Sequence, residues 1–190
     1  MKDLPSINQV AILGVLTHVE HKPHNLYSWQ FQLQVQSDNR QSEAVLHCGA
    51  REDNFGRAIQ GAKVGKDWVL INGKIRKGGF IQVRDLYIIG EIITYPSPIH
   101  HVALMGEITA IRNYPESIYV WQFDLNIYRE YGNDDKDKIE TTLTCGLGGD
   151  SSYYNQIMEA AQQGQWAKVQ GKVRNNGFIQ VRSFCIFDMS

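Results

Sequence analysis

Trp, Lys, Arg and Phe recur together twice in this chain, as Trp68, Lys74, Arg76, Phe80 and Arg84 and again as Trp166, Lys168, Lys172, Arg174, Phe178 and Arg182. A flat ring gives a nucleobase a face to stack on, and a nearby Lys or Arg neutralises a phosphate. Rings and cations interleaved on one surface are what an extended single nucleic-acid strand requires. Each stacked base is worth about 1–3 kcal/mol, and the electrostatic term follows the backbone rather than the base sequence. The plainer reading is a solvated sheet face with Trp68 packed against a neighbour. Recurrence at matching positions favours the binding reading.

Other residues invite other chemistry and carry less. His18, His21 and His24 could form a metal site, but the matching positions are Ala110, Asn113 and Glu116, and no Cys or acid stands at ligand spacing. His100-His101 reads as a solvated pair. Cys145-Gly146-Leu147-Gly148-Gly149-Asp150 precedes a helical pattern but lacks the Lys-Ser/Thr of a phosphate-binding loop, and the other copy has Gly49-Ala50-Arg51-Glu52 there. No Ser/His/Asp set, Cys/His set or carboxylate pair occurs in both copies. Neither an enzyme nor a bound cofactor or metal is expected.

The elements that must position the rings are read from the duplication. Val10 through Phe31 matches Val102 through Phe123 at a constant offset of 92 (102 − 10), with Gly14 on Gly106, Tyr27 on Tyr119 and Trp29-Gln30-Phe31 on Trp121-Gln122-Phe123. After an insertion, Cys48-Gly49 matches Cys145-Gly146, and Gly79-Phe80-Ile81-Gln82-Val83-Arg84 matches Gly177-Phe178-Ile179-Gln180-Val181-Arg182 letter for letter. Two copies of this length are a duplicated domain rather than a solenoid. The expected division is a domain over 7–94, a linker over 95–100 containing Tyr95-Pro96-Ser97-Pro98, and a second domain over 101–190.

Each copy opens with an apolar strand, Val10–Val19 or Val102–Ile111. A period-two strand follows, in which Trp29, Phe31, Leu33 and Val35 face inward and Gln30, Gln32, Gln34 and Gln36 outward. Trp29 and Trp121 are therefore expected in the core. A third strand ends at Cys48-Gly49 or Cys145-Gly146. A helix comes next, at Glu52–Lys63 with Gly56 and Gly61 inside it, or at Tyr153–Gln163 with Asp150-Ser151-Ser152 as N-cap and Gly164 as C′ residue. Trp68–Arg76 and Phe80–Ile89 form a last hairpin across Lys77-Gly78-Gly79, and Asn175-Asn176-Gly177 is the equivalent turn, where φ > 0 is needed. Three strands, one short helix and two strands is the layout of the OB-fold, a five-stranded Greek-key barrel; five strands also suit an SH3-like barrel, and the helix after the third strand favours the OB-fold. The chain is expected to be all-β, with two tandem OB barrels and one short helix in each. Alternation then puts Trp68, Leu70, Asn72, Lys74 and Arg76 outside, with Phe80, Gln82 and Arg84 beside them. Tyr27 and Tyr119 fall at the barrel mouth.

Trp68-Val69-Leu70-Ile71-Asn72-Gly73-Lys74-Ile75-Arg76 and Lys168-Val169-Gln170-Gly171-Lys172-Val173-Arg174 resemble the fourth strand of bacterial single-stranded DNA-binding proteins, whose pattern is apolar-x-apolar-x-Gly-x-apolar-Arg after a short helix. The opening strand with Gly14 or Gly106 is also similar. The likeness covers most of each copy and extends to the related primosomal replication proteins of type N; two domains in one chain resemble the tandem-OB members. The resemblance implies binding of single-stranded DNA in replication, repair or recombination, and a homodimer presenting four barrels to one strand. The family's acidic partner-recruiting tail is not seen after Phe187-Asp188-Met189-Ser190, and the aromatic that many members place early on the third strand is replaced by Ser42 and Ile139.

Composition is that of an ordinary globular protein, 43% hydrophobic and 21% charged, with net charge −1. The first 99 residues carry 11 Lys/Arg against 9 Asp/Glu, net +2, and residues 100–190 carry 8 against 11, net −3. Much of the acidity lies in Glu130–Glu140, read as a solvated hairpin loop. Met1-Lys2-Asp3-Leu4-Pro5 shows no apolar leader, so a cytoplasmic protein without membrane contact is expected. Cys48, Cys145 and Cys185 are too few and too scattered for a disulfide framework. The expected partner is single-stranded DNA, with RNA as the alternative strand and replication or repair proteins as further partners. The rival reading is an OB-fold protein-interaction module without nucleic-acid affinity.

Overall fold

A computed structural model describes residues 7–36, 42–92, 99–128, 139–148 and 154–187. Tyr95–Pro98 of the expected linker, most of the acidic loop and the Asp150–Ser152 cap lie outside the described residues. Two compact units divide the chain, one built chiefly from Gln9–His101 and the other chiefly from Val102–Val173 with the segment that begins at Gly177. No helix among the described residues is long and apolar enough to cross a membrane.

The first repeat contains β1 (Ile7–His21), β2 (Trp29–Gln36), β3 (Ser42–Ala50), α1 (Glu52–Gly61), β4 (Asp67–Ile75) and β5 (Ile81–Glu91). β1 is long enough to serve two neighbours. Its first half pairs antiparallel with β4, from Val10↔Gly73 to Val15↔Trp68, and its second half with β2, from Val15↔Gln34 to His21↔Trp29. Gly14 sits at the changeover. A Cβ there would lie 2.9 Å from the Gln34 carbonyl oxygen, and at Gly106 2.2 Å from that of Asn126, so only glycine lets the strands cross this closely. β2 pairs with β3 and β4 with β5, both antiparallel. The barrel closes where β3 meets β5 in parallel, at Cys48↔Ile81 and Gly49↔Gln82. The circuit β1-β2-β3-β5-β4-β1 is an OB-fold.

The second repeat has the same circuit in β6 (His100–Asn113), β7 (Trp121–Tyr128), β8 (Ile139–Leu147), α2 (Tyr154–Gln162), β9 (Trp166–Val173) and β10 (Ile179–Phe187). Its closure is Ile179↔Cys145 and Gln180↔Gly146. Contrary to the solvated pair read from the sequence, His100 is buried at the start of β6, while His101 is exposed.

Period-two alternation fills each barrel as expected, with Phe31, Leu33, Val35, Ile71 and Ile75 buried in one and Phe123, Leu125, Ile127, Val169 and Val173 in the other. Cys48 and Cys145 are buried free thiols, and burial pushes both pKa values well above the ordinary range. Trp29 and Trp121 depart from the core reading. Both are half-buried at the helix end of the barrel, where Trp29 stacks on His21 (centroids 4.3 Å apart) and Trp121 on Tyr154 of α2 (3.7 Å). This explains the glycine inside α1: a Cβ on Gly56 would stand 2.3 Å from Trp29 Nε1. In the hairpin turns, Gly78 and Gly79 (φ 76° and 81°) and Asn176 and Gly177 (φ 63° and 79°) take the positive φ their residue types announce.

Candidate nucleic-acid interface

The barrel closure brings the duplicated residues together. Gly49 on β3 is the cross-strand neighbour of Gln82 on β5, and Gln82 is the neighbour of Lys74 on β4. The three residues form one row across the outside of the seam. Phe80 precedes β5, and its ring lies over Gly49, so a Cβ on Gly49 would stand 2.3 Å from Phe80 Cζ and 2.9 Å from Tyr27 Cβ. Tyr27, in the loop between β1 and β2, packs on Phe80 with centroids 5.2 Å apart and planes tilted by 46°. Both rings are half-buried, so part of each remains open. The second repeat builds the same object: Phe178 over Gly146 (2.2 Å from a Cβ to Cζ), Tyr119 against Phe178 at 4.9 Å and 45°, and Gln180 between Gly146 and Lys172. The sequence shows Cys-Gly twice without saying why. The glycine is the seat of the ring.

Arg76 completes the first site. The turn is pinned by Arg76 N–H donating to the Phe80 carbonyl (2.7 Å) and Gly79 N–H to the Arg76 carbonyl (3.0 Å). The Arg76 guanidinium donates from Nε (2.8 Å) and from Nη2 to Gln82 Oε1. A planar cation is thus held beside the ring pair instead of ranging through its rotamers. Gln82 was read from the sequence as outward-facing and given no part in the site; its role as the strut for Arg76 is visible only once β4 and β5 are in register.

The other expected site residues are placed less favourably. Trp68 is only 8% exposed, among the buried hydrophobic residues, and offers no open face. It also stands six residues from Lys74 on β4, about 20 Å along the strand at roughly 3.3 Å per residue, and so lies apart from the ring pair. Lys74 and Lys172 are 7% and 9% exposed rather than free. Alternation decides the face of a side chain and not what covers that face, and Lys74 shares its row with a Gln82 already loaded with Arg76. Trp166 is half-buried and one face is occupied: Tyr128 stacks on it at 5.5 Å and donates its hydroxyl to Glu107. Lys168 and Arg174 are half-buried. Arg84 and Arg182 are exposed for a reason alternation misses. Each is the extra residue of a β-bulge, between the pairs Gly73↔Val83 and Asn72↔Asp85, or Gly171↔Val181 and Gln170↔Ser183.

The outer faces of β2 and β3 differ between repeats. In the first, His18, Gln32 and His47 form a cross-strand row, and the Lys22 ammonium meets Glu20 (2.8 Å) and Gln30 (3.3 Å). Of the three histidines weighed as a metal site and set aside, His18 lies in that row and His21 on Trp29, and the described residues hold no group of three metal-capable side chains. In the second repeat the corresponding face carries Asp124, which accepts from Arg112 Nη1 (2.9 Å) and Nη2 and from the Thr144 hydroxyl (2.9 Å). The hydrogen bond to Asp124 holds the Arg112 pKa above its ordinary value, against desolvation by burial, and the charge of Asp124 adds to it. This clamp was not foreseen; Arg112 and Asp124 are 12 residues apart in sequence, and the first repeat has Glu20 and Gln32 there.

No family model and no curated protein sequence matches the chain. Among solved structures, the chain is similar to a deletion mutant of the single-stranded DNA-binding protein from Thermus aquaticus, with 12% identity and a TM-score of 0.63 over 97% of this chain and 96% of that one. A replication protein A heterotrimer bound to ssDNA also matches, with 9% identity and a TM-score of 0.30 over 97% of this chain and 50% of that one. The first likeness spans nearly the whole length of both chains and agrees with the strand circuits traced above: this is a chain of OB-fold barrels.

Proposed function

We propose that this chain binds single-stranded nucleic acid, DNA in the first instance, with little sequence preference and without chemistry of its own. The observation that carries the reading is the duplicated ring pair seated on a strand glycine: Tyr27 and Phe80 over Gly49, Tyr119 and Phe178 over Gly146. In the first repeat Arg76 is braced beside it. Half-open rings next to a fixed guanidinium hold a base and its phosphate, and neither group reads a base edge. The Thermus protein of similar fold is a single-stranded DNA-binding protein by name, which supports the same assignment. The cellular setting proposed is replication, repair or recombination. A homodimer would present four barrels to one strand, and sedimentation across micromolar concentrations tests that assembly.

The first barrel is proposed as the tighter binder. The first 99 residues are net +2 and residues 100–190 net −3, which favours a polyanion on the first. Fluorescence titration with oligo-dT at two salt concentrations tests the whole reading. Saturable binding that weakens with salt is expected. No binding at low salt would leave the protein-interaction module as the better account.

A further inference from the structure

The loops between the first two strands of each barrel hold a feature that the ring pair does not use. Leu26 is 66% exposed and Ile118 is 80% exposed. They are the same position in the two repeats (118 − 26 = 92), and each directly precedes the tyrosine of a ring pair. Neither is an accident of a loose segment, because both loops are closed by the same hydrogen bonds. Lys22 N–H donates to the Ser28 carbonyl (2.6 Å) and Asn25 N–H to the Lys22 carbonyl (3.0 Å); Tyr114 N–H donates to the Val120 carbonyl (2.8 Å) and Ser117 N–H to the Tyr114 carbonyl (2.9 Å). In the second loop the Tyr119 N–H also donates to Ser117 Oγ (3.1 Å). Two tied turns thus hold a branched aliphatic side chain out into water at equivalent points.

Building on the proposed binding of a single strand, we infer that Leu26 and Ile118 are wedges that enter between neighbouring bases, beside the base lying on Phe80 or Phe178. The size of the feature selects the occupant. A stable protein partner needs roughly 800 Å² on each side with an apolar centre. Here the exposed neighbours within the loop are Pro23, His24 and Asn25 in one repeat and Tyr114, Pro115 and Glu116 in the other, a few side chains rather than a face of that size. One apolar side chain fits the gap between two bases, and apolar wedges of this kind part base steps. The wedge makes the site selective for strands whose bases can be parted, and so for single strands over duplex.

The test is the full chain carrying Leu26→Ser and Ile118→Ser, compared with wild type and with Leu26→Met and Ile118→Met. Oligo-dT affinity is measured by anisotropy, and the melting temperature of a short DNA hairpin is measured at saturating protein. Expected are wild-type thermal stability and salt slope, affinity for oligo-dT about tenfold weaker in the serine variant, loss of the lowering of hairpin melting, and retention of both properties in the methionine variant. A serine variant that binds oligo-dT and melts the hairpin as wild type does overturns the wedge and leaves strand binding intact. A serine variant whose sedimentation changes while its affinity does not shows a protein contact instead and also overturns it. Failure of the wild type to bind oligo-dT overturns the functional reading beneath it.

Discussion

Gly49→Ala moves the proposed stacking ring without removing it. The added Cβ would stand 2.3 Å from Phe80 Cζ. Carbon atoms rest at about 3.5 Å or more, so the ring tip must retreat by about 1.2 Å. Phe80 is half-buried and has room to swing outward, away from Tyr27. Losing that ring contact costs about 0.5–1.5 kcal/mol. Tyr27 Cβ, 2.9 Å from the new methyl group, must also shift. For a unit of this size each kcal/mol lowers Tm by about 4–8 °C. Binding loses the stacking of one base, about 1–3 kcal/mol, or about 5- to 150-fold in Kd. The substitution belongs in both repeats, as Gly49→Ala with Gly146→Ala, so that an intact barrel does not mask the effect. Anisotropy with oligo-dT and thermal melting by circular dichroism are the two assays. In a background already carrying Phe80→Ala and Phe178→Ala, the glycine changes should lose most of their effect on stability and all of their effect on affinity, because the ring they displace is gone. A fall in Tm with unchanged affinity would refute the reasoning, since the ring pair would then be packing and not a binding surface.

Trp68→Ala should lower stability by about 3–5 kcal/mol as a large-to-small change at a buried ring, and the folded fraction should bind oligo-dT as wild type does; a pure affinity loss would show that the ring is reached by the strand. Arg76→Gln should reduce the salt slope by about 0.7, one phosphate contact on a single strand, whereas Gln82→Leu should leave the slope and weaken binding modestly by freeing the guanidinium; titrations at several salt concentrations separate the two. Gly61→Ala, with open space at its Cβ, should stabilise α1 by about 0.5–1 kcal/mol, whereas Gly56→Ala must push the Trp29 indole aside and should destabilise by about 1–3 kcal/mol despite the better helix former; denaturant unfolding of both variants reads the opposite signs.

The barrels were legible because their signals are local. Phe31, Leu33 and Val35 alternate, Gly78 and Gly79 mark a turn with positive φ, and the repeat shows each signal twice. The site was half legible. Alternation along β4 and β5 put Phe80, Lys74 and Arg76 on one face, and Tyr27 was placed at the mouth, but the burial of Lys74 and the meeting of Phe80 with Tyr27 depend on β3 reaching β5, a contact between segments more than 30 residues apart. Gly49 could be read only as a place of close approach, with no way to name what approaches. Trp68 shows the opposite failure: alternation assigned it an open face, and the burial of the ring was invisible in the sequence. Arg84 and Asp85 are both exposed in succession because a bulge slips the period, and no residue in Val83-Arg84-Asp85 announces one.

The seam at Cys48↔Ile81 and Gly49↔Gln82 gives the first barrel a zip fastener with very few teeth, as Cys145↔Ile179 and Gly146↔Gln180 do the second. β2–β3 and β4–β5 are registered along their length, while the parallel junction that closes the cylinder rests on two residue pairs. Parting it would open the barrel into a curved sheet and leave the hairpins on either side whole. The ring pair straddles this junction, with Phe80 carried by the β5 side and its glycine seat by β3. A ligand lying across Tyr27 and Phe80 therefore acts as a latch on the barrel itself. In hydrogen exchange, the amides of Gly49 and Gln82 should be among the first in the sheet to exchange in the free protein and among those most slowed when the strand is bound.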